Sequence, residues 1–323
     1  MRDIAEELGV STVAVSLALR NSPRISEELK TRVNALVKSS EFKIRNYPKR
    51  GSKNSFKKAR VAFIYDQDNS DPVSQTIVTA VMQRLMECEM NFKTILTADA
   101  LSDPFITRKF DGFLYYYNIP EAEISKFSGK PQVAIMNDYV DCGLFDNCRF
   151  HNEMAGKIVA DYFLERGFKR FLFVYEEIST GVKHENHPRF AGFKERITDP
   201  EIKISSVHYS RKNRTNSFSD ELMAELNKCE EPLGIFAFND LTAFRCYCTL
   251  EMNKRNFEPG KLEMVCCDNT FLLDHFKTPI PVVDLHIDKV ARAAVDRLIY
   301  RFQNPDECFV EILYKPDLIL PKE

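Results

Sequence analysis

From Arg60 to the end, the chain alternates short apolar runs with longer amphipathic stretches, and it does so in two successive series. Residues 61–65, 92–96, 112–116 and 132–136 read as buried strands, with helices over 73–88 and 154–166. A second set follows: strands over 170–175, 202–209, 234–238 and 264–267, with helices over 189–197, 218–228, 241–255 and 288–302. Strands separated by helical stretches pair in parallel and take helices on both faces. Two series imply two lobes. In such sheets ligands sit at the carboxyl ends of the strands, so the cleft between lobes is the expected pocket.

The 323 residues are too many for one ordinary core. With 44% hydrophobic and 28% charged residues, the composition is that of a soluble globular protein. No apolar run approaches the roughly 18 residues of a membrane span, and the charged start at Arg2 is unlike a signal peptide. The nine cysteines are odd in number and contain no Cys-x-x-Cys, which fits a reduced, cytoplasmic chain with buried thiols. The net charge of −2 hides an asymmetry. Residues 1–60 hold 14 Lys/Arg against 6 Asp/Glu, while residues 61–323 hold 31 against 41. From 42 to 60 eight cations face no acid. A basic end on an acidic body is the electrostatic footprint of DNA binding; a solvated linker reads the same way from charge alone.

The first forty residues carry a tighter pattern. Ile4, Ala5 and Leu8 form the stripe of a short helix that Gly9 ends. Ser11 is placed to cap a second helix, whose Val15, Ala18 and Leu19 point inward. Ser26 starts a third, with Val33, Leu36 and Val37 as its inner stripe. Two short helices joined by a tight turn make a helix-turn-helix; a three-helix interaction module is the alternative. On the outer side of the second helix, Ser11 and Ser16 suit phosphate oxygens, while Thr12, Val13 and Leu17 suit thymine methyls and cannot fork onto guanine. Asn21, Arg45 and Tyr47 complete the candidate DNA contacts.

The run Asp3-Ile4-Ala5, Leu8-Gly9-Val10-Ser11, Val15-Ser16, Leu19, Ile25-Ser26, Arg32-Val33 resembles the N-terminal domain of the lac repressor / galactose repressor family of bacterial transcription regulators. Leu17 stands where the family usually has an arginine, and Ala14 where it has threonine. The family's hinge helix, which wedges a Leu pair into the minor groove, has Arg45-Asn46-Tyr47-Pro48-Lys49-Arg50-Gly51 in its place here. Pro48 and Gly51 disfavour a helix interior, and Tyr47 is the candidate for a substitute wedge.

The resemblance continues through the body. Phe150-His151-Asn152-Glu153-Met154-Ala155-Gly156, Arg189-Phe190-Ala191-Gly192-Phe193, Ile235-Phe236-Ala237-Phe238-Asn239-Asp240 and Val265-Cys266-Cys267-Asp268-Asn269 match family motifs in family order. It implies a periplasmic-binding-protein-like core whose chain crosses between lobes three times, and a small, sugar-like effector in the cleft. The candidate effector residues are Asp71, Asp138, Arg189, Asn239, Asp240 and Asp268. Carboxylates accept from hydroxyls, Asn239 both gives and accepts, and Arg189 offers a fork of donors. For Asp240, just before a helix, capping and ligand contact are equally good readings. Asp71-Pro72-Val73-Ser74 replaces the family's Asn-Pro-Phe-Phe, His151 its usual Asp, and Tyr139 the Arg common after Asp138, so the pocket is remodelled.

Other chemistry is thinly represented. His184 and His187 lack a third metal ligand nearby, so no metal is expected. No Gly-x-Gly-x-x-Gly, Walker-type loop or Gly-x-Ser-x-Gly occurs, and no cofactor or catalytic role is expected. The fold expected is an all-α helix-turn-helix domain over 1–45, a basic hinge over 46–60, and an α/β periplasmic-binding-protein-like core of two parallel-sheet lobes over 61–323. Lobe 1 takes about 61–160 plus 286–304; lobe 2 takes about 161–285 plus 305–323. The expected function is a dimeric, cytoplasmic repressor that binds double-stranded operator DNA under control of the effector, with no membrane partner. The alternative is a periplasmic-type sugar-binding module without a DNA role.

Overall fold

The computed structural model describes residues 7–19, 22, 25–38, 55–66, 71–116, 123, 125–127, 129–136, 145–176, 187–209, 217–228 and 232–321. The chain divides into two compact units, Met1–Arg50 and Gly51–Glu323.

In the first unit Gly9 sits at φ +65°, a backbone state that glycine adopts without steric cost. The Ser11 hydroxyl accepts the Ala14 amide at 3.1 Å and opens α1 (Thr12–Leu19). Ser26 does the same for α2 (Glu27–Lys38), accepting from Leu29 at 3.3 Å. Val15, Ala18 and Val33 are buried, with Leu8, Val10, Ile25 and Leu29 packed on them. The inward positions expected for Leu19, Leu36 and Val37 lie outside the described side chains.

The second unit holds two six-stranded sheets. The first contains β1 (Arg60–Tyr65), β2 (Asn91–Leu96), β3 (Gly112–Tyr116), β4 (Gln132–Ile135), β5 (Asp146–Phe150) and β11 (Glu311–Tyr314), in the order β11-β5-β4-β3-β1-β2 and wholly parallel. The second contains β6 (Arg170–Glu176), β7 (Lys203–Tyr209), β8 (Leu233–Ala237), β9 (Leu262–Asp268), β10 (Val282–Asp284) and β12 (Asp317–Ile319), in the order β12-β10-β9-β8-β6-β7. Only β12 runs antiparallel among these described strands.

Helices follow the strands: α3 (Pro72–Glu87), α4 (Thr97–Ser102), α5 (Ile106–Lys109), α6 (Asn152–Glu165), α7 (Pro188–Arg196), α8 (Ser217–Lys228), α9 (Asp240–Met252) and α10 (Ile287–Gln303). The period of two is visible in the core. Val61 and Phe63 enter one apolar cluster, Ala62 and Ile64 another; Phe171 and Phe173 likewise part from Leu172 and Val174. The largest cluster holds Phe63 of the first sheet and Phe173 of the second, so one apolar body runs through both lobes.

Three boundaries differ from expectation. α6 starts at Asn152 and packs on β9, β10 and α7, so the first crossing falls near 151 rather than 160. Glu311–Tyr314 belongs to lobe 1, not lobe 2, because it pairs with β5 in the register Glu311↔Asn147. Ser55–Lys58, expected in the hinge, is a 3-10 turn against α10, with Phe56 on the core and Ala59 buried. β5 itself was not legible. Its Asp146 is wholly buried and held by Arg301 (Nε–Oδ2 2.5 Å) and Arg297 (2.7 Å) of α10. Arg301 also donates to the carbonyls of Glu307 and Cys308, which fixes the approach to β11.

Candidate functional site

Of the DNA-facing candidates, Ser11 is exposed and Leu17 half-buried. Thr12, Val13 and Ser16 lie on α1 but their side chains fall outside the description, as do Asn21, Arg45 and Tyr47 altogether.

The cleft candidates are described more fully. α6 and α7 bring the first pair together. His151 caps α6, its Nδ1 accepting the Met154 amide at 3.3 Å. His187 caps α7 in the same way, accepting from Arg189 at 3.1 Å. The two helices meet backbone to backbone. A Cβ on Gly156 would fall on the Arg189 carbonyl oxygen, and one on Gly192 on that of Glu153. That closeness sets Asn152 against Arg189.

Arg189 is 4% exposed. Its Nη2 and Nε donate to Asn152 Oδ1 at 2.9 and 3.2 Å, and its Nη1 donates to the Phe238 carbonyl. Asp268 Oδ1 lies 3.4 Å from Nη2, and the guanidinium rests 4.4 Å from the Phe238 ring centre. Planar donors, a carboxylate and an aromatic face thus converge at the carboxyl ends of β8 and β9.

The other candidates divide. Asp71 caps α3, accepting from the Ser74 amide (2.9 Å) and hydroxyl (2.5 Å); that hydroxyl contacts Tyr116 OH at 2.8 Å. Asn239 caps α9 through Thr242 N at 2.9 Å. Asp240 is 1% exposed and binds the amides of Asn269 (3.3 Å) and Thr270. Asp240 does not cap α9; the cap is Asn239, and the Asp240 carboxylate faces the turn after β9. Asp138 lies outside the described residues.

The charges are mutually unfavourable. Burial, then the neighbouring Asp268 charge, pushes the Asp240 carboxyl up to about 7. Burial also raises Asp268, to about 6; Arg189 opposes this and the Asp71 charge adds to it. Asp71, on the first sheet's side, is therefore in electrostatic reach of Asp268 on the second.

Sequence reasoning left Asn152, Phe238 and Tyr116 out of the site. The first two stand inside the quoted motifs, where a polar residue at a helix start and an aromatic at a strand end were the available signals. Among the described residues no group of three His, Cys, Asp or Glu is placed to hold a metal, and no helix is long and apolar enough to cross a membrane. A separate cavity of about 450 Å³ lies along β2, lined by residues such as Tyr65, Lys93, Asp99 and Phe110, and touches none of the candidates.

The family model for bacterial regulatory proteins of the lacI family matches residues 1–44, and that for the periplasmic binding protein-like domain matches residues 160–320. Together they span more than half of the chain. The chain belongs to the LacI family of bacterial regulatory proteins. It is a DNA-binding transcriptional regulator carrying an effector-binding core, in a family generally made of regulators rather than enzymes.

The HTH-type transcriptional regulator MalR of Staphylococcus xylosus is 25% identical over 245 residues, covering 69% of this chain and 68% of that protein. A LacI family regulator from Enterococcus faecium with bound ribose superposes with a TM-score of 0.66 at 20% identity, over 80% of this chain and 96% of that one. The lac repressor dimer bound to operator and the anti-inducer ONPF gives 0.66 at 15% identity, over 98% and 96%. These structural likenesses are of fold. The LacI-family core explains the two glycines: Asn-Glu-x-x-Gly and Arg-x-x-Gly-Phe are the two halves of one helix contact.

Proposed function

We propose that this LacI-family regulator is a cytoplasmic, dimeric repressor without catalytic activity, and that a small polar effector of sugar type sets its affinity for double-stranded operator DNA. The supporting observation is the convergence of Arg189, Asn152 and Asp268 at the carboxyl ends of the second sheet, with Asp71 charged within reach from the first. In this reading hydroxyls of the effector donate to Asp268 and share the Arg189 fork, with the Phe238 face beneath. An effector that touches both lobes binds one closure state better than another and shifts the population toward it. Coupling to the operator is reciprocal: DNA changes effector affinity by the same factor.

Two N-terminal units read the half-sites of a near-palindrome, with Ser11 and Ser16 on phosphates and Thr12, Val13 and Leu17 on thymine methyls. Asn21, Arg45 and Tyr47 add contacts in the turn and the basic segment. A periplasmic sugar carrier would leave the basic N-terminal unit without a role. The test is selection of bound duplexes from a random pool, with and without a sugar panel. Deleting residues 1–50 is expected to abolish selection and leave sugar binding intact. Arg189→Ala is expected to weaken any sugar by about 2 kcal/mol or more, the cost of losing a buried charged donor. Specific selection by the truncated chain would overturn the assignment.

A further inference from the structure

We infer that Asp240 is a positioning residue of the effector site: it holds the turn that carries Asp268 and thereby aims that carboxylate at Arg189. The inference rests on the proposed effector reading.

Asp240 is the first residue of α9, yet the capping of that helix is already done by Asn239. Its carboxylate is turned to the neighbouring strand end. One oxygen accepts the Thr270 amide; the other accepts the Asn269 amide at 3.3 Å and the Cys266 thiol at 3.7 Å. Asp240 thus takes backbone N–H groups of the turn that follows β9. The segments are 29 to 30 residues apart in sequence.

The turn needs such a hold. Asp268 has φ +103° and Asn269 φ +65°, left-handed values at two successive residues that are not glycine. Backbone of this kind persists only where its surroundings over-determine it. Released, the pair would relax toward negative φ and swing Asp268 away from the Arg189 fork, now 3.4 Å off. The arrangement is also electrically unfavourable, since the charge of Asp268, 4% exposed, acts against that of Asp240, 1% exposed, while Arg189 lies 3.4 Å from Asp268. An asparagine carries one acceptor oxygen and an NH2 group, so it cannot take the Asn269 and Thr270 amides on two oxygens as the carboxylate does. Two buried carboxylates that oppose each other are the kind of feature found where a site is tuned.

The test uses the full chain, with Asp240→Asn, Asp240→Ser as a smaller replacement that fits without a clash, and Arg189→Ala. Amide exchange without ligand reads the turn, carbon-labelled aspartate titration by NMR reads Asp268, and calorimetry with ribose, maltose and cellobiose reads the site. Both Asp240 variants are expected to speed exchange of residues 266–273 at least tenfold while the β6 and α10 peptides stay at wild-type rates. They are expected to raise the Asp268 midpoint, because the released turn carries that carboxylate away from the Arg189 cation. Any of these sugars that binds the wild type is expected to bind them at least tenfold more weakly. Arg189→Ala is expected to leave the turn's exchange unchanged. Wild-type exchange and an unmoved Asp268 midpoint in both Asp240 variants would overturn the inference, as would a loosened turn with undiminished sugar affinity. Should none of the sugars bind the wild type, the effector reading loses its support, while exchange and titration still decide for or against Asp240.

Discussion

Asp146 shows what a single buried charge does in this chain. Burial works to raise its carboxyl, but Arg301, Arg297 and the Val310 amide together outweigh it and hold the group below the usual carboxylate range. Removing one partner of such a cluster leaves the others charged and dry. Asp146→Asn is therefore expected to cost about 3–5 kcal/mol, read from denaturant unfolding. The same residue sets a pH dependence. Its folded pKa is depressed, so its contribution is present above the unfolded value near 3.8 and is lost as pH falls through the folded one. Asp240 and Asp268 act in the opposite sense. Their folded pKa values are raised, so the native state holds extra protons between about 4 and the raised values. Stability from this pair should fall as pH climbs through that window. Unfolding of Asp240→Asn followed from pH 4 to 8 is expected to show a shallower decline than the wild type; an identical slope would remove the pair from the account.

At the scale of elements, caps and glycines decide the local geometry. Ser11→Ala should lose about 1 kcal/mol from the first unit, the usual worth of a helix cap. Gly192→Ala is a harsher change. The added carbon meets the Glu153 carbonyl, part of a helix backbone that cannot yield alone. It is expected to part α7 from α6, lengthen the Asn152–Arg189 contact and lower the melting temperature; a crystal structure of the variant with both distances unchanged would refute this. Legibility follows the same lines. β1 and β6 could be read from sequence because both faces of each strand are apolar, as Val61 to Ile64 and Phe171 to Val174 show. β5 could not, because Asp146 and Asn147 are polar groups buried by partners more than 150 residues away. Candidate site residues were legible as types and not as roles. Asp71, Asn239 and Asp240 all precede or open helices, and only the fold tells that the first two are caps and the third reaches across to Thr270.

At the scale of the whole core, the chain passes between lobes near residue 151, between β10 and α10, and between β11 and β12. Two of these passages are tied by one side chain. His286, at φ +54°, has Nε2 2.8 Å from Asp317 and Nδ1 3.3 Å from Asp284, and those two aspartates face each other across the β10–β12 pair. His286→Ala should leave the two carboxylates opposed with nothing between them. About 1 kcal/mol of stability is expected to go, or a few degrees of melting temperature in a chain of this size, together with faster amide exchange at 284–287 and 315–319.

The lock between Asp240 and the turn after β9 also bears on time. Polar groups that are already fixed before a ligand arrives have lost their freedom during folding, so little ordering remains to be done on binding. Encounter then depends mainly on diffusion and on how often the lobes part, which differ little from one small sugar to the next. Departure requires the same fixed contacts to break together. Discrimination among related effectors should therefore be written in residence times, with arrival rates nearly the same for all.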